Sequence, residues 1–282
     1  MRGSSGPLKA PVYLFDFRNY LENSLKLGKA TVKNRMAYAI KYEHLLNTWD
    51  LSELSGYSID KRTHIMRAMS LLSKHRGCYN KWEKARQRYQ LKWSNGTDSL
   101  AGFHNLVRSD NDYQQMIDQG IEVIQRYPQL SNIIRFSILI GLRPTESISS
   151  FNLLLESKEE YLSSDKKILQ HFRYPSIFLR RTKKAYISLV SNNILSLAVN
   201  QRQQKYDTVR ETLKDEEFKL SFCRKIFATF LRNEGVEAEI IDLLQGRIPN
   251  SIFVRHYYRP QLETVYNRVA GKLDKLNDLI RV

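Results

Sequence analysis

Three arginines and a tyrosine stand out because each occupies a setting that would hold its side chain in place. Arg143 lies between Gly141-Leu142 and Pro144-Thr145-Glu146, Arg224 closes Ser221-Phe222-Cys223-Arg224, and Arg247 follows Leu244-Gln245-Gly246. Tyr257 comes ten residues after Arg247, within His256-Tyr257-Tyr258. A phosphodiester attacked at phosphorus gathers negative charge on its non-bridging oxygens. Arginine answers that charge best, because its planar fork donates paired hydrogen bonds and keeps its proton. A tyrosine can attack as the nucleophile and carry a covalent phosphotyrosyl intermediate. A lysine can give its proton to the departing 5′ oxygen; Lys183 is the first candidate, and Lys184 stands beside it as the alternative.

Each residue alone says little. Arginines at helix ends commonly cap or face solvent, a lysine at a turn is usually solvated, and one tyrosine among 16 usually packs. The specific signal is the ordered combination. Tyr257 is preferred to Tyr258 for its distance from Arg247 and for the preceding His256. On a helix His256 would point about 100° away from Tyr257, so it is not the candidate base.

The elements that must position these groups are mostly helical. The spacing predicts helices over 113–125 and 130–142, the second carrying Ile133, Ile134, Phe136, Ile138 and Leu139 and stopping at Gly141. Pro144 fits the first position of the next helix, with Glu146 in its first turn, so Arg143 sits at a helix–helix junction. The period then changes. Residues 176–181 and 185–190 read as two short strands around Thr182-Lys183-Lys184, a β-hairpin with lysines at its tip. Helical pattern resumes at Asn193, again over 218–233 with Ser221 and Arg224, and over 237–244 before Gly246. Leu262, Val265, Val269, Leu273, Leu276 and Ile280 recur every three or four residues, an amphipathic terminal helix that packs on its own domain or on a neighbouring subunit.

The N-terminal third is all-α. Helices are expected over 11–25, from a Thr31 cap to Leu46, over 60–75 with Gly77 as the stop, and over 81–91. Lys33, Arg35 and Lys41 on the second helix, and Lys81, Lys84 and Arg88 on the fourth, form the candidate phosphate-contacting faces. The polar stretch 95–112, with Asn95-Gly96, reads as a linker between a helical domain (10–94) and a second domain (113–282). Residues 1–9 resemble an expression tag and take no part in the fold argument.

Charge supports a polyanionic partner. The net charge is +16, and residues 1–95 hold 18 Lys and Arg against 7 Asp and Glu. No apolar run approaches the roughly 20 residues that span a bilayer. Cys78 and Cys223 are far apart, no CxxC occurs, and the six histidines are scattered, so no metal site, disulfide framework or cofactor is indicated.

The ordered set resembles the tyrosine recombinases, and most closely the integrases of archaeal viruses and plasmids of the fusellovirus type. Gly141 to Glu146 match the family's Gly-Leu-Arg-x-x-Glu, Lys183 its hairpin lysine, Ser221 to Arg224 its His-x-x-Arg, Leu244 to Arg247 its Leu-Gly-His, and Tyr257 its tyrosine. Ser221 and Arg247 stand where histidines are commoner, changes that the archaeal viral branch tolerates. The resemblance spans nearly the whole chain. It implies a mainly α fold with a small β-hairpin or sheet, a core-binding domain and a catalytic domain, and Arg143, Lys183, Arg224, Arg247 and Tyr257 as catalytic residues. Ser221 would join the basic residues in holding the phosphate backbone. It further implies metal-independent site-specific recombination of double-stranded DNA through a 3′-phosphotyrosine, a released 5′ hydroxyl and a four-way junction. The working unit would be a homotetramer linked by exchange of C-terminal helices, in the cytoplasm or nucleoid of an archaeal host. Two other readings remain: a type IB topoisomerase-like strand transferase, which shares the arginine, lysine and tyrosine chemistry, and a non-catalytic DNA-binding protein, which would share the charge distribution.

Overall fold

The computed structural model describes residues 12–93, 110–165, 167–180, 183–247 and 261–281. The chain divides into two compact units, residues 1–107 and 108–282. Most described residues are helical, with one small antiparallel sheet.

In the first unit α1 (Val12–Asn19) runs directly into a π turn (Tyr20–Ser24), followed by α2 (Lys29–Tyr42) and the short α3 (Leu45–Thr48). A 3-10 turn (Ser52–Gly56), α4 (Ile59–His75) and α5 (Tyr79–Arg88) complete it. Val32, Met36 and Ala39 on α2 and Ile65, Met69 and Leu72 on α4 recur at helical spacing, and all are buried with Phe17, Leu21 and Trp82. Ser58 caps α4 through the Lys61 N–H, and Gly77 ends it at φ 68°. Two expectations are corrected. The cap of α2 is Gly28, not Thr31, because the Gly28 carbonyl already accepts the Thr31 and Val32 N–H groups (2.8 and 3.0 Å). The helix also stops at Tyr42 rather than Leu46; Leu45 and Leu46 reach the core from α3, which Trp49 closes in a left-handed conformation at φ 57°.

The second unit is built around α7 (Pro128–Ile140), which packs against α6 (Asp110–Arg126), α8 (Pro144–Glu156), α13 (Leu220–Asn233) and α15 (Leu262–Leu279). Leu130, Ile133, Ile134, Phe136, Ile138, Leu139 and Ile140 bury most of its circumference, as expected of a central helix. Because α6 begins at Asp110, the last three residues of the expected linker are helical; its other residues lie outside those described. Gly141 ends α7 at φ 61°, and a Cβ there would stand 2.3 Å from the Phe227 ring, so this glycine lets α13 approach the α7–α8 corner.

The expected hairpin is corrected in detail. Pro175 starts a helical turn, α10 (Pro175–Phe178), which faces Phe178 into the core. The two-stranded ladder pairs β1 (Ile168–Leu169) with β2 (Ser188–Leu189), Ile168 opposite Leu189 and Leu169 opposite Ser188. Among the described residues, the lysine hairpin shows one bridge, between Leu179 and Lys184, with the Ala185 N–H donating to the Phe178 carbonyl (2.9 Å). A short apolar run such as Ile177-Phe178-Leu179 buries equally well as a turn or a strand, and proline at its head favours the turn.

Around this core lie α9 (Lys158–Tyr161), α11 (Asn192–Ser196), α12 (Tyr206–Thr212) and α14 (Ala238–Leu244). The apolar stripe of α15, Val265, Val269, Leu273, Leu276 and Ile280, is buried within its own unit. Arg135 on α7 donates to Asn277 (2.7 Å), and Asp274 accepts from Ser191 (2.6 Å) and Asn193 (3.1 Å), which fixes the register of α15.

Candidate active site

Four separate stretches of the second unit meet around one buried carboxylate. Arg143 is the cap residue of α8, held extended (φ −68°, ψ 150°) between left-handed Gly141 and Pro144 at the first helical position. Its Nη1 donates to both oxygens of Glu146, at 3.1 Å each, and its backbone N–H donates to Glu146 Oε2 (3.3 Å). Glu146 is 1 % exposed and takes a third donor group, Arg180 Nη2, at 2.5 Å. A carboxylate this deep is tolerable because its lone pairs are used by two guanidiniums and a backbone amide.

Arg143 Nη1 also donates to the Lys184 backbone carbonyl (3.2 Å), which ties the lysine loop to the start of α8. The same carbonyl presses on the turn after α14. Gly246 there has φ 71°, and a Cβ on it would stand 1.9 Å from the Lys184 oxygen. Only glycine satisfies both the left-handed backbone and this approach. Lys183 and Lys184 are both exposed beside this junction.

Arg224 lies on α13, partly buried. It donates to the Gly141 carbonyl (3.4 Å) and the Gln245 carbonyl (2.9 Å), and the buried Gln245 side chain returns a bond to the Arg224 carbonyl (2.9 Å). Burial, followed by the positive charges of Arg143 and Arg247, lowers the Arg224 pKa to about 10, opposed by Glu146 and Asp242. The three arginines therefore share one electrostatic field. Arg247 is exposed, with Nη1 3.2 Å from Asp242 and its N–H donating to the Asp242 carbonyl (2.7 Å). Ser221 is exposed one turn before Arg224 on the same helix.

The structure thus gathers Arg143, Arg224, Arg247 and the Lys184 carbonyl. Tyr257, Tyr258 and His256 lie outside the described residues. Reading the sequence missed three contributors: the double service of Glu146, the second arginine on it (Arg180), and Gln245 as the brace of Arg224. The i, i+3 spacing of Arg143 and Glu146 was a usable signal for the first. Arg180 and Gln245 meet their partners only through tertiary contacts.

In the first unit Lys33, Lys41, Lys81, Lys84 and Arg88 are exposed, with Lys81, Lys84 and Arg88 at i, i+3, i+7 on α5. Arg35 is different. It is 9 % exposed and donates to Asn34 (3.1 Å) and to the His64 carbonyl (3.5 Å), and burial, helped by the Arg67 charge, lowers its pKa. It braces α2 against α4, so the expected basic face of α2 lacks this member.

The unit is mainly helical, with Arg143, Arg224 and Arg247 clustered near helix ends, an arrangement whose forked donors could hold an anion such as phosphate. Residues 111–271 match the archaeal phage integrase family, and the chain belongs to that family. No curated protein and no solved structure matches the chain. Among the described residues no helix is long and apolar enough to cross a membrane.

Proposed function

We propose that this integrase is a site-specific recombinase that cuts and rejoins double-stranded DNA by transesterification at Tyr257. The observation that carries this reading is the convergence of Arg143, Arg224 and Arg247: Arg224 donates to the carbonyl of Gly141, two residues before Arg143, and to that of Gln245, two residues before Arg247. Such crowding of cations is unfavourable by itself and becomes favourable when a dianionic pentacoordinate phosphorus occupies the site. The Tyr257 oxygen bonds to phosphorus and its phenolic proton passes to solvent. The P–O5′ bond breaks, and Lys183 or Lys184 protonates the leaving oxygen. The arginines supply the charge stabilisation that a metal ion would otherwise give, so the reaction proceeds in chelator.

The exposed Lys33, Lys41, Lys81, Lys84 and Arg88 would neutralise backbone phosphates around the target, and Ser221 would donate to the scissile phosphate. The assembly on DNA would be a homotetramer in which α15 seats on a neighbouring subunit through the surface it now buries in its own. The test is a nicked duplex that traps the covalent intermediate. Wild type should form a protein–DNA adduct and Tyr257→Phe should not. Adduct from Tyr257→Phe but not from Tyr258→Phe moves the nucleophile to Tyr258, and no adduct from wild type leaves a DNA-binding protein without strand transfer.

A further inference from the structure

Arg180 has no part in the phosphate chemistry described above, yet its guanidinium reaches a carboxylate that is 1 % exposed and already serves Arg143. It stands at the base of the lysine loop: Leu179 and Lys184 form the bridge that closes the loop, and Arg180 is the next residue after Leu179. The described residues on each side of 181–182 are fastened separately. At one end Arg180 Nη2 holds Glu146 at 2.5 Å. At the other the Lys184 carbonyl receives Arg143 Nη1 at 3.2 Å and packs against Gly246, where no Cβ could fit. Both fastenings run to residues of the arginine cluster, and one carboxylate links them.

We propose that Arg180 is a positioning residue for the general-acid lysine. Through Glu146 it ties the Leu179–Arg180 segment to the Arg143 corner, to which the Lys184 carbonyl is also tied, so that the lysine ammonium is held at the leaving 5′ oxygen. This rests on the transesterification reading above. The side chain of Arg180 is 42 % exposed, so its loss leaves room for solvent rather than a cavity in the core. Removing it frees one end of the loop while Arg143 keeps Glu146. The defect should therefore fall on protonation of the leaving group and not on stabilisation of the phosphorane.

The two are separable by changing the leaving atom. With sulfur in the bridging 5′ position, the Tyr257 oxygen bonds to phosphorus, the P–S bond breaks, and sulfur departs as a thiolate that needs no proton. The probe is a nicked duplex selected from a randomised pool for adduct formation with wild type, then synthesised with oxygen or sulfur at that position. Arg180→Ala should slow adduct formation on the oxygen substrate by about 10²-fold, the scale of a misplaced catalytic group. On the sulfur substrate it should return to near the wild-type rate. Substituting the acid lysine by methionine should show the same rescue, and Arg224→Ala should not. Arg180→Lys, which keeps the ion pair, should lie between wild type and Arg180→Ala on oxygen. Arg180→Gln carries the same comparison if the alanine variant does not fold. A wild-type rate for Arg180→Ala on oxygen, or a defect that sulfur leaves in place, overturns the positioning role; the second would make Arg180 a direct phosphate contact. No adduct from wild type on either substrate overturns the transesterification reading itself.

Discussion

The Arg143 guanidinium donates to the backbone carbonyl of Lys184 across 3.2 Å, although 41 residues separate them in sequence. This bond, with the Gly246 turn packed on the same carbonyl, brings together three stretches that the chain presents far apart. The consequences are measurable.

Gly246→Ala should be more damaging than a left-handed glycine alone explains. The positive φ costs an alanine about 1–2 kcal/mol, and here the new Cβ also overlaps the Lys184 backbone, so the lysine loop must move. Gly235, at φ 78° with nothing within 4 Å of where a Cβ would stand, is the control that bears the φ cost only. Denaturant midpoints for both variants should fall, and the adduct rate should collapse only for Gly246→Ala.

Glu146→Gln removes the one negative charge between Arg143 and Arg180 while keeping the shape. Breaking a fully buried ion pair costs about 3–5 kcal/mol. Both guanidiniums here retain solvent contact, so a loss of about 1–3 kcal/mol is expected. Thermal melting should show it, together with a slower adduct rate; an unchanged melting temperature would count against the carboxylate as the hub of the site.

His171 provides a pH-dependence with a definite sign. It is fully buried, hydrogen-bonded through Nδ1 to the Tyr161 hydroxyl and through Nε2 to Ser188 (2.8 Å), and burial lowers its pKa from 6.5 to about 3. Between those values the unfolded chain binds a proton that the folded chain refuses. The stability this neutral histidine supports is therefore complete above pH 6.5 and is lost as pH falls toward 3, at up to about 1.4 kcal/mol per pH unit. His171→Asn should flatten that part of the stability curve, whatever it does to stability at pH 7.

Lysines and Arg35 should separate in their response to salt. Neutralising Lys81 or Lys84 should lower the slope of log affinity for duplex DNA against log salt by roughly 1 each. Arg35→Met should leave that slope alone and lower the melting temperature of the first unit, because the guanidinium is engaged with the His64 carbonyl rather than presented outward. Equal slopes for wild type and Lys81→Ala would remove the lysine from the DNA contact surface.

The helices were the most legible part of the fold. Gly77, Gly141 and Gly246 mark stops that all appear as left-handed residues, and Pro144 begins α8 as its fixed φ demands. The apolar rows of α4 and α7 fell where their periodicity placed them, and so did that of α15 from Val265 to Ile280, whereas Leu262, expected at its head, is exposed in the first turn. The lysine segment was less legible. Ser176 to Val190 alternates like two strands, but β2 takes its partner from Ile168-Leu169, and Pro175 turns the first run into a helical turn. Strand pairing is a choice of partner, which a local pattern does not contain.

By itself the sequence determined which residues could handle a phosphodiester, because residue type settles charge, nucleophilicity and hydrogen-bond geometry before any folding occurs. It also determined where most helices start and stop, because proline and glycine act on their own φ. Only the tertiary structure decided that Arg143, Arg224 and Arg247 share one field, that Glu146 serves two arginines, that Gln245 braces Arg224, and that Arg35 faces inward. Such facts depend on which surfaces bury one another. Burial is a property of the whole packed chain, and the electrostatic environment of a side chain follows from it.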